Sequence, residues 1–281
     1  MSQFVLYTYQ FSPIQNKKKL FESELTDEEL MNKKQEIFQE IFSIDFQYSR
    51  QNKHYNQRIE FNQGHFIIFR LANNNNAISE SEYHKTKQPN FPSCWIIIDN
   101  RKDMQRIAIE EKIVGFKDTD VVKNILVSTY NKYLNEKGLS IVIQKEYKKS
   151  EFWNIVNEYK DDITMVRFLF SYPNLPRVNK IINDIINEQS IKMHSKKTSI
   201  QMQSDKKEVL NIDENDEELK NIVNAATDSG NIIKIKARRR KSYITTGRDK
   251  KIEEIDLETL LTPNLLEKTF DKIAEIFNNI K

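Results

Sequence analysis

The stretch SCWIIIDNRKDMQRIAIEEK, residues 93–112, decides the fold class of this chain. Two apolar segments of strand length, residues 93–99 and 105–112, flank the polar sequence NRKDM. Two strand-like segments separated by a short polar connection are typical of a β-hairpin, and a hairpin pairs its strands antiparallel. The stretch therefore predicts an antiparallel sheet.

The segments before this hairpin extend the same pattern. SIDFQYSR, HYNQRIEF and HFIIFRLA occupy residues 43–50, 54–61 and 65–72, and turns that contain Asn or Gly join them. These segments predict an antiparallel meander. The polar, non-periodic residues 73–92 predict an exposed loop.

Helical segments flank these strands. Residues 25–43 place Thr26 and Glu29 at the capping-box spacing, and a second helical pattern at residues 118–138 ends at Gly138. Further helices are predicted at residues 150–160 and 174–189, and further strands at residues 5–11, 139–147 and 163–173. Strands and helices are mixed irregularly, so the predicted class is α+β, with mixed, largely antiparallel sheets and flanking helices.

The composition excludes several kinds of site. None of the apolar runs approaches the roughly 20 residues that a membrane-spanning helix needs, and the N-terminus lacks the basic start and apolar run of a signal peptide. Cys94 is the only cysteine, and the four histidines have no histidine partner at i+3 or i+4. We therefore expect a cytoplasmic protein without a membrane partner, an intrachain disulfide or a metal site.

The last third of the chain differs in character from the rest. Seven acidic residues between Asp205 and Glu218 lead into a helix that ends at the turn TDSG, residues 227–230. A basic stretch, the short strand KIEEIDL and a terminal helix follow. The polar residues 194–207 predict a boundary between an α+β region at residues 1–200 and a C-terminal region at residues 201–281, unless the chain forms one domain.

The basic stretch is NIIKIKARRRKSYITTGRDKK, residues 231–251, and it holds nine lysines and arginines in a chain whose net charge is only +3. As a strand it would place Lys234, Lys236, Arg238 and Arg240 on one face, because side chains alternate. Such a row is about 20 Å long and can follow a phosphate backbone. The candidate nucleic-acid contacts are Lys234, Lys236, Arg238, Arg239, Arg240, Lys241, Arg248, Lys250 and Lys251. The alternative is a solvated edge strand whose lysines prevent aggregation.

A second constellation predicts different chemistry. Asp99 ends the first strand of the hairpin, and Glu110 and Lys112 share a face at the end of the second. An Asp on one strand and a Glu-x-Lys on its neighbour resemble the site of metal-dependent nucleases of the restriction-endonuclease type, in which carboxylates hold Mg²⁺. A Mg²⁺-dependent nuclease is therefore the alternative function. Otherwise we expect a binding protein without catalytic residues or a cofactor.

Three short segments resemble the RexA-like DNA-binding proteins of phage exclusion. FVLYTYQF (residues 4–11) is similar to their opening strand, NFPSCWIIID (residues 90–99) to their Phe-Pro-Ser entry into an apolar strand, and NIIKIKARRRK (residues 231–241) to their basic strand. The resemblance covers about a tenth of the chain. It implies a homodimeric binder of duplex DNA with little sequence preference, acting in anti-phage defence or phage exclusion. A third hypothesis is an adaptor whose basic strand meets a partner protein of a defence system.

Overall fold

The computed structural model describes residues 2–14, 25–44, 46–81, 84–171, 193 and 197–257, and residues 271, 273–275 and 277–278 near the C-terminus. At residues 75–81, 84–88 and 171 it describes the backbone alone. The helix predicted at residues 174–189 lies outside these described residues.

The described elements confirm the α+β class. The strands are β1 (Ser2–Pro13), β2 (Tyr48–Arg50), β3 (Lys53–Gln63), β4 (Phe66–Asn73), β5 (Asn75–Ser81), β6 (His84–Asn90), β7 (Ser93–Asp99), β8 (Arg106–Glu110), β9 (Leu139–Lys145), β10 (Ile163–Ser171), β11 (Lys197–Gln203), β12 (Lys234–Ala237), β13 (Ile244–Thr245) and β14 (Ile252–Ile255). The helices are α1 (Asp27–Asn32), α2 (Lys34–Glu40), α3 (Thr119–Leu134), α4 (Ser150–Glu158) and α5 (Glu217–Asp228).

The chain forms two compact units. Unit 1 consists of Met1–Val5, Pro13–Ile143 and Ile252–Lys281, and unit 2 consists of Leu6–Ser12 and Gln144–Lys251. The predicted boundary at residue 200 does not coincide with this division. The C-terminal segment belongs to unit 1 because β14 pairs antiparallel with the first residues of β1, from Ser2 opposite Ile255 to Val5 opposite Ile252.

A large sheet has the strand order β14-β1-β8-β7-β4-β3-β2, and β9 also pairs with β1. The predicted hairpin is confirmed as β7 and β8, and the predicted meander as β2, β3 and β4, all antiparallel. Consecutive side chains in the hairpin, Ile96–Ile98 and Ile107–Ile109, are fully buried. Since successive side chains point to opposite faces, both faces of this hairpin are covered.

Aromatic side chains of α2, of the 3-10 turn Ile41–Ser43 that follows it and of α3 form part of the core of unit 1. The ring of Tyr130 lies 5.1 Å from Phe38 and 5.8 Å from Phe42, both edge to face. Its hydroxyl lies 2.8 Å from the hydroxyl of Tyr48, so this buried polar pair is satisfied. The capping box of Thr26 and Glu29 is confirmed. The single helix predicted over residues 25–43 is instead divided at Lys33, which separates α1 from α2.

Unit 2 contains a four-stranded sheet with the order β11-β10-β12-β13. One buried cluster joins Phe152 of α4 and Val223 of α5 to Val166, Phe168 and Ile235 of the sheet. The two helices therefore cover one face of the sheet, the face of Val166 and Ile235, which are register partners.

Two regions form strands that the sequence did not predict. Residues 75–81 and 84–90 form an antiparallel two-stranded ribbon, where we expected an exposed loop. The polar residues 197–203, expected to mark a boundary, form β11 and pair along their whole length with β10. Backbone hydrogen bonds hold both, so neither needed the apolar alternation on which strand prediction depends.

The C-terminal segment is helical at residues 271, 273–275 and 277–278. Ile273 and Phe277 of this segment are buried. Arg106, which is 1% exposed, donates from its guanidinium Nη1 to the carbonyl oxygen of Phe277 at 3.0 Å. Across the part of the chain that is described, no helix combines the length and apolar character needed to cross a membrane.

Candidate nucleic-acid interface

Strand β12 carries the start of the predicted basic row. Lys234 is exposed and Lys236 half-buried, while Ile235 and Ala237 are buried. This alternation was predicted, and its cause is the apolar cluster beneath the strand. Strand β12 lies between β10 and β13. It is therefore not an edge strand, which the alternative hypothesis of aggregation-preventing lysines assumed.

The row does not continue beyond Ala237, which corrects the predicted strand geometry. Arg238 and Arg239 form a turn, and the N–H of Arg240 donates to the carbonyl oxygen of Ala237 at 3.2 Å. The N–H of Arg238 donates to the carbonyl oxygen of Asp162 at 2.9 Å. Residues 238–241, which we call the basic loop, are all exposed. The four cations are therefore clustered at one turn and do not form a linear row.

Lys236 stabilises this loop from within. Its ammonium Nζ donates to the carbonyl oxygens of Arg240 at 2.6 Å and of Lys241 at 2.8 Å. The same Nζ lies 5.6 Å from the centre of the Tyr243 ring. Lys236 is thus engaged by the loop and is not available to a ligand in this arrangement.

The arginines of the loop differ in their contacts. Arg239 lies 3.6 Å from the Asp162 carboxylate, but its side chain is 90% exposed, so this ion pair is weak. The guanidinium of Arg240 lies 5.3 Å from the centre of the Tyr159 ring. Arg238 and Lys241, like Lys234 and Arg248, form no ion pair with any residue that the structure describes.

A buried carboxylate fixes the second basic segment, residues 248–251. Glu151 is 6% exposed and accepts N–H groups from Gly247 at 2.8 Å, Arg248 at 3.1 Å and Asp249 at 3.3 Å. Gly247 has a φ of +107°, which disfavours residues with a side chain. The backbone of this segment is therefore held in place, with the Arg248 side chain exposed and Lys250 and Lys251 half-buried.

The sheet also brings a cation that was not predicted from the sequence, Arg167, to the face that carries Lys234. Arg167 of β10 pairs with Lys234 of β12 and with Gln201 of β11. It is an isolated charge inside the apolar segment ITMVRFLF, a signal that it faces away from the core. Its neighbours on β12 and β11 come from distant parts of the chain, and the sequence pattern does not reveal them.

The acidic residues near 213–218 have a local structural role. The Asp216 carboxylate accepts the N–H groups of Glu218 and Leu219 and caps helix α5. Glu217 forms an ion pair of 2.7 Å with Lys220 on the same helix. Acidic residues in a first helical turn also suit the helix dipole.

The nuclease hypothesis requires Asp99 and Glu110 to lie close together, and the structure separates them. Asp99 pairs with Arg106 across the hairpin, and Glu110 lies at the other end of β8, where its carboxylate accepts the N–H of Trp95 at 3.0 Å. Four residues along β7 separate the two positions, about 14 Å. That is too far for one Mg²⁺ ion, whose ligands lie at about 2 Å.

The carboxylate of Asp99 is already paired. Asp99 is fully buried, and the Arg101 guanidinium approaches it to 2.7 Å. Lys112 is exposed and lies beyond the end of β8. The described residues also contain no group of three His, Cys, Asp or Glu side chains placed to bind a metal ion.

No protein-family model matches the chain, and comparisons with curated proteins and with solved structures find no match either. The geometry of the basic residues is therefore the basis for assigning a function.

Proposed function

We propose that this chain is a non-enzymatic protein that binds the phosphate backbone of duplex DNA, largely without sequence preference. The observation that carries the proposal is the basic loop, where Arg238, Arg239 and Lys241 are exposed on one turn. Guanidinium and ammonium groups are the main phosphate ligands of DNA-binding proteins, and such contacts are independent of base sequence.

The framework of the loop supports the proposal. Lys236 satisfies two loop carbonyls from inside, and Glu151 holds the backbone of residues 247–249. Binding therefore orders fewer backbone groups than it would in a mobile basic tail, which lowers its entropic cost. Lys234 and Arg248 are the further phosphate contacts in this proposal, with Lys250 and Lys251 beside Arg248.

The test is the salt dependence of binding to a labelled blunt duplex, followed by fluorescence anisotropy. Log affinity should fall linearly with log salt, by about 0.9 for each phosphate neutralised. Replacing Arg238, Arg239 and Lys241 by alanine should reduce that slope by about 2 to 3. The control replaces Lys160, Lys206 and Lys207, three exposed lysines of the same unit, and should leave the slope nearly unchanged.

A duplex of shuffled sequence should bind with similar affinity. Salt-independent binding, or an undiminished slope in the triple variant, would refute the proposal. A protein partner retained after nuclease treatment, in the absence of any DNA affinity, would favour the adaptor hypothesis.

The biological setting that we propose is an anti-phage or phage-exclusion system in the cytoplasm, with the protein acting as a homodimer or with a partner protein. The short RexA-like segments support this part of the proposal. Sedimentation equilibrium with and without duplex DNA tests the dimer. A single monomer mass in both conditions would contradict it.

A further inference from the structure

The face of the unit 2 sheet opposite helices α4 and α5 is basic and mostly polar, apart from the buried Met165 and the half-buried Leu169. Arg167 shares it with its register partners Gln201 and Lys234, because paired residues lie on the same face. The described polar and charged strand positions that the argument uses on this open face are Lys197, Gln201, Gln203, Arg167, Lys234 and Lys236. These residues include four cations and no carboxylate.

Hydrogen bonds order the polar side chains of the open face. Arg167 donates from Nε at 2.8 Å and from Nη2 at 2.5 Å to the Gln201 side-chain oxygen. Gln201 donates in turn to the Gln203 side-chain oxygen at 3.1 Å. Gln201 and Gln203 are exposed. The face thus presents amide groups and a guanidinium in a defined arrangement on a hydrogen-bonded sheet.

Tyr243 adds an aromatic ring to this face. Extending the register of β12 and β13 places it opposite Lys236, and the distance of 5.6 Å between the Lys236 ammonium and the ring agrees. Tyr243 is 52% exposed, although the other large residue of this short segment, Ile244, is buried. An exposed ring among cations is what proteins use to stack on nucleic-acid bases.

We infer that the open face binds an unpaired stretch of the nucleic acid whose duplex part the basic loop holds; this inference rests on the proposed function. Tyr243 stacks on a base, Arg167 and Lys234 contact phosphates, and the amides of Gln201 and Gln203 hydrogen-bond to base edges. A duplex cannot use the ring in this way, because its bases are stacked on one another and only unstacked bases accept an aromatic partner.

The charge of the open face and its position beside the basic loop both favour a nucleic acid as its ligand. Arg167 and Lys234 lie on this face, its described positions hold no carboxylate, and this positive charge complements a polyanion. The face is also continuous with the basic loop through Lys236, which belongs to the face and donates to the loop carbonyls. Four strands span about 14 Å from the first to the last. A sheet of this size holds about two or three unpaired nucleotides.

The experiment compares a blunt duplex with the same duplex carrying a single-stranded extension of about ten thymidines. We expect the extension to raise affinity by about tenfold, near the low end for one stacked base. Tyr243→Ala should remove this gain and leave blunt-duplex affinity unchanged, whereas Tyr243→Phe should keep it. Phe91→Ala removes a similarly exposed ring, 49% exposed, from unit 1 and serves as the control.

The outcomes separate the two proposals. If the blunt duplex binds but the extension adds nothing, or if Tyr243→Ala weakens both probes equally, the inference is overturned and the proposed function stands. If neither probe binds, the proposed function fails and the inference fails with it. Circular dichroism of the Tyr243 variants excludes a folding defect as the cause.

Discussion

Single residues of the basic stretch have different roles despite their equal charge. Lys236 donates to two carbonyls of its own loop, Arg240 packs over Tyr159, and Arg238 projects from the turn. The sequence predicted the excess of charge, because charge can be counted. It did not predict which cations are engaged, because the acceptors of Lys236 are backbone atoms placed by a turn without Gly, Pro or Asn at its centre.

Lys234 and Lys236 provide a direct test of this difference. Lys234→Ala should lower the salt slope of DNA binding by about 0.9 and leave the free energy of unfolding unchanged. Lys236→Ala should lower the free energy of unfolding by about 1 kcal/mol, since it removes two hydrogen bonds within the loop. Urea denaturation and anisotropy measure the two effects. An unchanged free energy of unfolding in Lys236→Ala would show that Lys236 does not stabilise the loop.

Lys34 gives a prediction about pH. Burial, with the positive charge of Lys102, lowers the pKa of Lys34 from 10.5 to about 8. Below about pH 8 the folded protein carries a buried charge. Between about pH 8 and 10.5 the folded state has lost this proton and the unfolded state keeps it. The free energy of unfolding therefore increases with pH over this range.

Replacing Lys34 by methionine removes the buried charge and keeps the volume. At about pH 7, Lys34→Met should raise the free energy of unfolding by between about 1 and 3 kcal/mol, and the gain should vanish above about pH 10.5. Urea denaturation at both pH values measures it, with the exposed neighbour Lys33→Met as control. A loss of stability at neutral pH would mean that the Lys34 ammonium has a favourable partner.

At the scale of elements, periodicity predicted those strands and helices that bury an apolar face. The hairpin of β7 and β8, the meander of β2–β4 and helices α3 and α4 follow their patterns. The ribbon of β5 and β6 and the polar β11 do not, because pairing of backbone groups defines them. The end of β12 also depends on a distant contact, the hydrogen bond from Arg238 to Asp162. The open face of the unit 2 sheet therefore could not be predicted from the sequence.

The turn from α5 into β12 makes a prediction at this scale. Gly230 has a φ of +67°, and a Cβ atom there would lie 2.6 Å from the Gln144 Cβ and 2.9 Å from the Lys145 carbonyl oxygen. Gly138 also has a positive φ, but its added Cβ would meet only Leu30 at 3.4 Å. Gly138→Ala should cost about 1 to 2 kcal/mol, the backbone term alone. Gly230→Ala should cost clearly more in urea denaturation, and equal costs would show that the backbone near Gln144 yields freely.

At the scale of the whole molecule, β1 supplies residues to both compact units. Its first residues and Pro13 belong to unit 1, and Leu6–Ser12 belong to unit 2. The C-terminal segment, at the far end of the chain, belongs to unit 1 again. Neither unit is a continuous segment, so the two cannot be divided by one cut in the chain without removing a strand from one of them.

We therefore expect the protein to unfold in one cooperative transition, because loss of β1 from either unit removes a strand of the other. Each unit contains one tryptophan, Trp95 in unit 1 and Trp153 in unit 2, so the variants Trp153→Phe and Trp95→Phe each leave a fluorescent reporter in one unit. Both reporters should show the same urea midpoint.

Phe277→Ala in unit 1 and Phe168→Ala in unit 2, each at a fully buried position, should cost about 3 to 5 kcal/mol and lower both midpoints together. Replacing the exposed Ser128 by alanine should leave both unchanged. If Phe277→Ala shifts only the Trp95 signal, the units unfold independently, and β1 does not couple them.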